Sequence, residues 1–106
     1  MGGVQGRAGA VLVSELDAPA DVDRDGPAPT ATRVLRFVVS QLVDDPSAVA
    51  IDAVDRRRGV LLEVHVGPGD MGRVIGRRGR TAASIRSVVR AAATRDGVEV
   101  DVDFVD

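Results

Sequence analysis

Two glycines three positions apart, Gly76 and Gly79, place the strongest constraint on how this chain can fold. Val74 and Ile75 come directly before them, and a run rich in Ala, Ser and Ile follows. The run after the loop favours helix, and Asp70 can cap a short helix before it, whereas glycine is a poor helix residue and tolerates positive φ. The pattern therefore predicts two helices joined by a tight loop. Because glycine has no Cβ, the backbone of that loop can approach a ligand closely.

Arginines occupy both positions between the glycines, Arg77 and Arg78, and a third, Arg80, follows. Guanidinium groups are well suited to binding phosphate. The N–H groups at the start of the following helix point toward the same place. We interpret the loop as a site for the phosphates of a nucleic acid. The alternative, a solvated turn with one helix-capping glycine, leaves the second glycine unexplained.

The distribution of charge agrees with this interpretation, although the formal net charge of the chain is -2. Residues 71–95 contain seven arginines and no acid, whereas residues 1–31 contain two arginines and five acids. Binding responds to the local potential rather than to the overall charge. The chain has no Cys, which excludes disulfides and thiolate metal sites. A reducing cytoplasm fits this lack of Cys, so we predict a cytoplasmic protein. No apolar run approaches the roughly 20 residues that span a bilayer, so we predict no membrane partner.

The pattern along the chain predicts a single α+β domain. Residues 1–31 show no apolar periodicity and are predicted to be a disordered acidic tail. A helix is predicted from Thr32, its N-cap, followed by a hairpin that turns at residues 56–59. The glycine loop between two helices and a final alternating strand complete an α-β-β-α-α-β order. Over residues 32–106 this order predicts a three-stranded sheet with helices packed on one face.

The periodicity also predicts the core. In the last helix the predicted buried face consists of Ala82, Ile85, Val88, Val89 and Ala92. The only aromatic residues, Phe37 and Phe104, are both predicted to be buried. RNA-binding folds that stack bases on exposed aromatic rings are therefore poor alternatives for this chain.

Two other phosphate-binding motifs are excluded by the residues and predicted elements around them. Residues 67–72 match the dinucleotide pattern G-x-G-x-x-G, but Gly76 would interrupt the helix that this pattern should open. The preceding hairpin is also antiparallel, so it forms no parallel βαβ unit. A Walker-type loop fails because Val74 stands where its first glycine belongs and Arg80 replaces the lysine.

Catalytic and metal chemistry have little support in the sequence. His65 is the only histidine, and the chain lacks a cysteine nucleophile. Asp101, Asp103 and Asp106 could suggest a metal site, but strand alternation is more typical of a solvated sheet face. We therefore predict no enzyme activity, no catalytic residue, no metal and no cofactor.

The stretch Asp70–Thr81, in its predicted topological position, resembles the prokaryotic-type (type II) KH domain. It is very similar to the signature of the small, single-domain bacterial KH proteins of the KhpA (YlqC-like) family. Asp44-Asp45-Pro46 and the ending Val100–Phe104 also resemble that family. The resemblance covers residues 32–106. The acidic leader and the absence of lysine depart from the family without touching the motif.

The resemblance implies a protein that recognises short single-stranded RNA, in post-transcriptional regulation or as an RNA chaperone. KH loops clamp about four nucleotides of backbone. By matching position, Gly76 to Gly79 would form the phosphate clamp and Ile75 the floor of the groove. The resemblance also implies a homodimer, a complex with a KhpB (Jag)-type KH protein, or both.

The candidate RNA-binding residues surround the glycine loop. They are Arg73, Ile75, Gly76, Arg77, Arg78, Gly79, Arg80 and Thr81. Two alternatives remain open at this point. The chain could be a protein-interaction adaptor that acts through a KH dimer surface, or a ribosome-assembly factor.

Overall fold

The computed structural model describes residues 26–105, so most of the predicted tail lies outside the described residues. The described part confirms the predicted α+β order. Its helices and strands are α1 (Pro29–Leu42), β1 (Ala50–Arg56), β2 (Gly59–His65), α2 (Met71–Ile75), α3 (Arg80–Ala93) and β3 (Val100–Val105). Short 3-10 turns cover Pro46–Ala48 and Arg77–Gly79. Among the described residues, no helix is long and apolar enough to cross a membrane.

The sheet has three strands, with β2 in the centre. β2 pairs antiparallel with β1, as the predicted hairpin requires, and parallel with β3. Side chains alternate between the two faces of a strand. On β2, Val60, Leu62 and Val64 are buried, whereas the residues between them are only half-buried. The sheet therefore has one core face and one outer face.

The helices α1, α2 and α3 of the described residues all contribute to a single core on that face of the sheet. Its fully buried larger side chains come from α1, α2, α3 and β2, and they are Leu35, Val39, Leu62, Val64, Val74 and Val89. Val100 and Val102 of β3 complete the same cluster. The helices thus pack on one face, as predicted, and this packing places α2 and α3 side by side with the glycine loop between them.

The first helix begins earlier than the sequence predicted. It begins at Pro29, whereas the predicted N-cap, Thr32, is buried inside the helix. Ala28 and Ala31, which the predicted boundary assigned to the tail, have no exposed surface and belong to the core. Pro29 suits the first turn because the N–H that proline lacks would have no partner within the helix there.

A carboxylate distant in sequence takes over the role predicted for Thr32. The two oxygens of Asp96 accept hydrogen bonds from the N–H groups of Thr30 and Ala31, each at 2.9 Å. The first N–H groups of a helix need such partners because the helix itself offers none. The turn after α3 therefore caps the start of α1.

Two apolar side chains predicted in the core are exposed instead. Phe37 is 66% exposed and Val88 is 50% exposed. Successive helical residues are about 100° apart, so Phe37 lies on the side of α1 opposite the buried Leu35 and Val39. Val88 is likewise turned away from its buried neighbour Val89. The helical layer therefore exposes two apolar side chains to solvent.

Two arginines of α3 hold this helix against β3. Nε of Arg86 donates to the carbonyl oxygen of Val102 at 3.0 Å, and its guanidinium lies 5.5 Å from the centroid of the Phe104 ring. Nη2 of Arg90 lies 2.9 Å from Oδ1 of Asp101. These contacts engage Arg86 and Arg90 within the domain itself.

Candidate nucleic-acid interface

The loop between α2 and α3 has the geometry that the two glycines predict. Gly76 ends α2 with φ 73° and ψ 175°, and its N–H donates to the carbonyl of Gly72 at 2.9 Å. The 3-10 turn follows, in which the N–H of Gly79 donates to the carbonyl of Gly76 at 3.1 Å. Gly79, with φ 72° and ψ 15°, is the N-cap residue of α3. The chain therefore changes direction within four residues.

The two glycines serve different purposes in this loop. A Cβ added to Gly76 would lie 2.7 Å from Cβ of Thr81 and overlap its Oγ1 as well. A Cβ added to Gly79 would meet nothing within 4 Å. Gly76 is thus required by close packing inside the protein, whereas Gly79 leaves the outer surface of the loop bare.

Arg78 adopts a left-handed backbone conformation between the glycines. Its φ of 56° is the only positive value at a non-glycine residue within positions 26–105. For an L-residue this conformation costs about 1–2 kcal/mol. Strain of this kind concentrates at functional sites. Arg77 and Arg78 both present exposed side chains from this turn.

The positive charge around the loop is not engaged by the rest of the domain. Arg77, Arg78 and Arg80 are all exposed. Within residues 26–105, none of the three forms an ion pair, whereas Arg73 and Arg90 do. Their charges lie at the N-terminal end of α3, where the helix dipole also favours an anion. The arrangement can attract and hold phosphate groups.

Arg73 differs from the other candidate residues. Its Nη2 lies 3.0 Å from Oδ2 of Asp44, and its Nε lies 3.3 Å from Oδ1 of Asp70. The two carboxylates direct its guanidinium toward the segment after α1. Arg73 is therefore neutralised by two acids, unlike Arg77, Arg78 and Arg80. For this reason the structure supports an RNA contact of Arg73 less than contacts of those three residues.

The buried carboxylate of Asp70 bonds to backbone at the end of α1, a contact that the sequence did not indicate. Asp70 is the N-cap residue of α2, but its side chain makes no capping hydrogen bond to that helix. Instead, its oxygens accept from the N–H groups of Asp44 at 3.1 Å and Asp45 at 3.2 Å. The side chain is buried, so these bonds tie the start of α2 to the end of α1. No short-range pattern could have revealed contacts across 25 residues.

The remaining candidates, Ile75 and Thr81, border the loop on its inner side. Val74 is fully buried and anchors α2, whereas Ile75 is half-buried and packs against the edge of the core. Ile75 is therefore partly accessible, and its role as a groove floor stays a prediction. Thr81 is half-buried, and its Cβ and Oγ1 lie against the Cα of Gly76.

Comparison with known proteins assigns the domain. The family described as KhpA/KhpB, KH domain, matches residues 32–104. The chain belongs to the KhpA/KhpB family of KH domains. It is 51% identical over 72 residues to the RNA-binding protein KhpA of Leifsonia xyli subsp. xyli, a match that covers 68% of this chain and 92% of that protein. The RNA-binding protein KhpA of Streptomyces coelicolor is 49% identical over 72 residues, covering 68% and 90%.

A solved structure confirms the fold independently of close sequence similarity. The chain superposes on an Era variant from Aquifex aeolicus bound to GDP·AlF4− with a TM-score of 0.54. The sequences are 17% identical, and the match covers 70% of this chain and 29% of the Era chain. At this identity the likeness concerns the fold alone.

Proposed function

We propose that this protein binds single-stranded RNA through the loop from Gly76 to Gly79. The observation that carries the proposal is the group of exposed, unengaged arginines, Arg77, Arg78 and Arg80, around a bare turn. Support also comes from the relatives, which bear the name RNA-binding protein KhpA. RNA phosphates would lie over Gly79, held by the arginines and by backbone N–H groups at the start of α3.

The bases would lie beside the loop, next to the accessible part of Ile75. A KH loop engages about four nucleotides, so a single domain reads a short segment. The outer face of the sheet is unsuited to the same RNA because it carries Asp52, Glu63, Asp101 and Asp103. Repulsion from these acids favours a path along the helical side of the domain.

The proposed activity is binding without chemistry. The loop offers glycines and arginines, and arginine stays protonated, so neither residue type can serve as a general base at neutral pH. We place the function in post-transcriptional regulation or RNA chaperoning in the cytoplasm, as the family resemblance implies. A KH site of this size should bind weakly by itself. A homodimer or a KhpB-type partner would raise the affinity by presenting two sites to one RNA.

A protein-interaction adaptor is the second candidate, and one observation favours it. Phe37 is 66% exposed on α1, on the side of the helix that faces away from the core. Large exposed aromatic side chains are enriched in protein–protein interfaces. In this alternative, α1 would carry the contact and the loop would be incidental.

Charge reversal in the loop tests the proposal. We expect Arg77→Asp with Arg78→Asp to weaken binding of a short single-stranded RNA by at least about tenfold, because two phosphate contacts become repulsive. Fluorescence anisotropy measures the affinity, and a melting curve checks the fold. Both side chains are exposed, so the melting temperature should stay unchanged.

The hairpin turn supplies a matched control. Arg57→Asp with Arg58→Asp reverses the same charge at another exposed pair. This turn lies beside Glu99, at the C-terminal side of α3, whereas the loop lies at its N-terminal side. RNA affinity that falls equally in both variants, or in neither, would contradict the proposal. The adaptor would be favoured by two results together. A Phe37→Asp variant would lose a protein partner, and the loop variant would keep full RNA affinity.

A further inference from the structure

Three potential metal ligands meet on the outer face of the hairpin. Asp52, Glu63 and His65 each offer one ligand atom, and these atoms all lie within 4.8 Å of one another. The register explains the meeting, since Asp52 of β1 stands directly opposite Glu63 of β2. His65 follows Glu63 by two residues and therefore shares its face. This face is the one that the helices leave uncovered.

The acids in this cluster oppose one another when no cation is bound. Like charges directly across an antiparallel pair are destabilising. Asp103 of β3 stands opposite Glu63 on its other side, so three carboxylates lie in one row across the sheet. Within residues 26–105, no arginine pairs with any of these three acids. A bound cation would offset this repulsion.

The spacing of two of the ligand atoms matches that of a small transition-metal ion. Nε2 of His65 lies 3.4 Å from Oδ2 of Asp52. Two ligands bound at 2.0–2.1 Å in a tetrahedral arrangement are about 3.4 Å apart. An imidazole with two carboxylates suits Zn²⁺ and its neighbours, whereas Mg²⁺ and Ca²⁺ prefer oxygen ligands alone. Glu63 and His65 are half-buried on the central strand, which restricts their motion.

We propose that Asp52, Glu63 and His65 bind a divalent transition-metal ion, with Zn²⁺ as the reference case and water completing the coordination. The ion joins β1 to β2 through side chains of both strands. Its two carboxylate ligands balance the charge of the cation. Binding therefore stabilises β1, an edge strand whose residues are almost all exposed. The site is separate from the glycine loop and does not depend on RNA binding.

The single histidine makes the test direct. The full chain, prepared without an affinity tag, is titrated with Zn²⁺ while NMR follows the imidazole signals, which arise from His65 alone. We expect these signals to shift to saturation at one Zn²⁺ per chain. The melting temperature should rise with Zn²⁺, and excess Mg²⁺ should not reverse either effect.

Variants separate a built site from surface adsorption. Asp52→Asn and His65→Asn should each weaken Zn²⁺ binding by at least about tenfold. Asp55→Asn is the matched control, because Asp55 is an exposed acid of the same strand on the opposite face. Metal-free melting curves verify that each variant folds. Unshifted His65 signals in excess Zn²⁺ would overturn the proposal. Binding that survives His65→Asn, or that Asp55→Asn weakens equally, would also overturn it.

Discussion

The two glycines of the loop look equivalent in the sequence but answer different physical demands. Gly76 has a positive φ, and its Cα faces Thr81 so closely that no side chain fits. Gly79 has a positive φ and open space around it. The first glycine therefore holds the shape of the turn, and the second keeps its surface accessible.

This difference predicts unequal effects of alanine. Gly79→Ala should destabilise the domain by about 1–2 kcal/mol, the cost of a left-handed L-residue. Gly76→Ala should cost clearly more, because its φ of 73° with ψ of 175° is a conformation essentially restricted to glycine, and the new Cβ would also overlap Thr81. Urea denaturation of both variants measures the two free energies of unfolding. Equal values would show that the packing against Thr81 has no energetic weight.

At single residues, some exposures could be predicted from the sequence and others could not. The exposure of Arg77 and Arg78 was predictable because a tight turn has no interior. The exposure of Phe37 was not predicted, although its helical phase differs from that of Leu35 and Val39. Assigning a residue to the core by its hydrophobicity alone neglects this phase. The ion pair of Arg73 with Asp44 could not be predicted, because Asp44 comes close to Arg73 only in the folded chain.

Helix ends in this domain are joined by carboxylates from distant segments. Asp70 holds the segment after α1, and Asp96 caps the start of α1. The order of helices and strands could be predicted from periodicity, because that signal is local. The beginning of α1 could not be predicted, because its cap comes from a residue 66 positions away. Thr32 was the best local choice and is instead buried within the helix.

Asp70→Asn tests the connection between α1 and α2. Asparagine retains one acceptor oxygen where aspartate offers two, so one N–H, of Asp44 or Asp45, loses its partner. We expect the free energy of unfolding to fall by about 1–3 kcal/mol. Hydrogen exchange should quicken at the amides of Asp44 and Asp45 in particular. The matched change Asp101→Asn removes an exposed ion pair with Arg90 and should cost less than about 1 kcal/mol. Equal losses would contradict a special role for Asp70.

Across the whole domain, charge is divided between two sides. The loop side carries unengaged arginines, whereas the outer sheet face carries a row of acids. The sequence predicted the basic segment and the acidic last strand. It did not reveal the row, because Asp52 and Glu63 become neighbours only through the hairpin register. The two-residue turn after Arg56 determines that register.

The extent of the folded domain leads to a truncation prediction. A chain that starts at Thr32 lacks the buried Ala28 and Ala31 and the residues that Asp96 caps. We expect it to be less stable than the full chain by at least about 2 kcal/mol. A chain that starts at Gly26 should match the full chain in thermal unfolding if residues 1–25 are disordered, as was predicted for the whole of residues 1–31. Equal stability of the chain from Thr32 would show that the first turn of α1 contributes nothing.

The salt dependence of RNA binding tests the central claim most directly. For single-stranded RNA, the logarithm of the binding constant falls with the logarithm of salt concentration by about 0.7 per phosphate contact. Replacing Arg77 and Arg78 with alanine should therefore reduce the magnitude of this slope by about 1.4. The same replacement at Arg57 and Arg58 should leave it unchanged. A slope that is identical in the native protein and the loop variant would show that these arginines do not hold RNA phosphates.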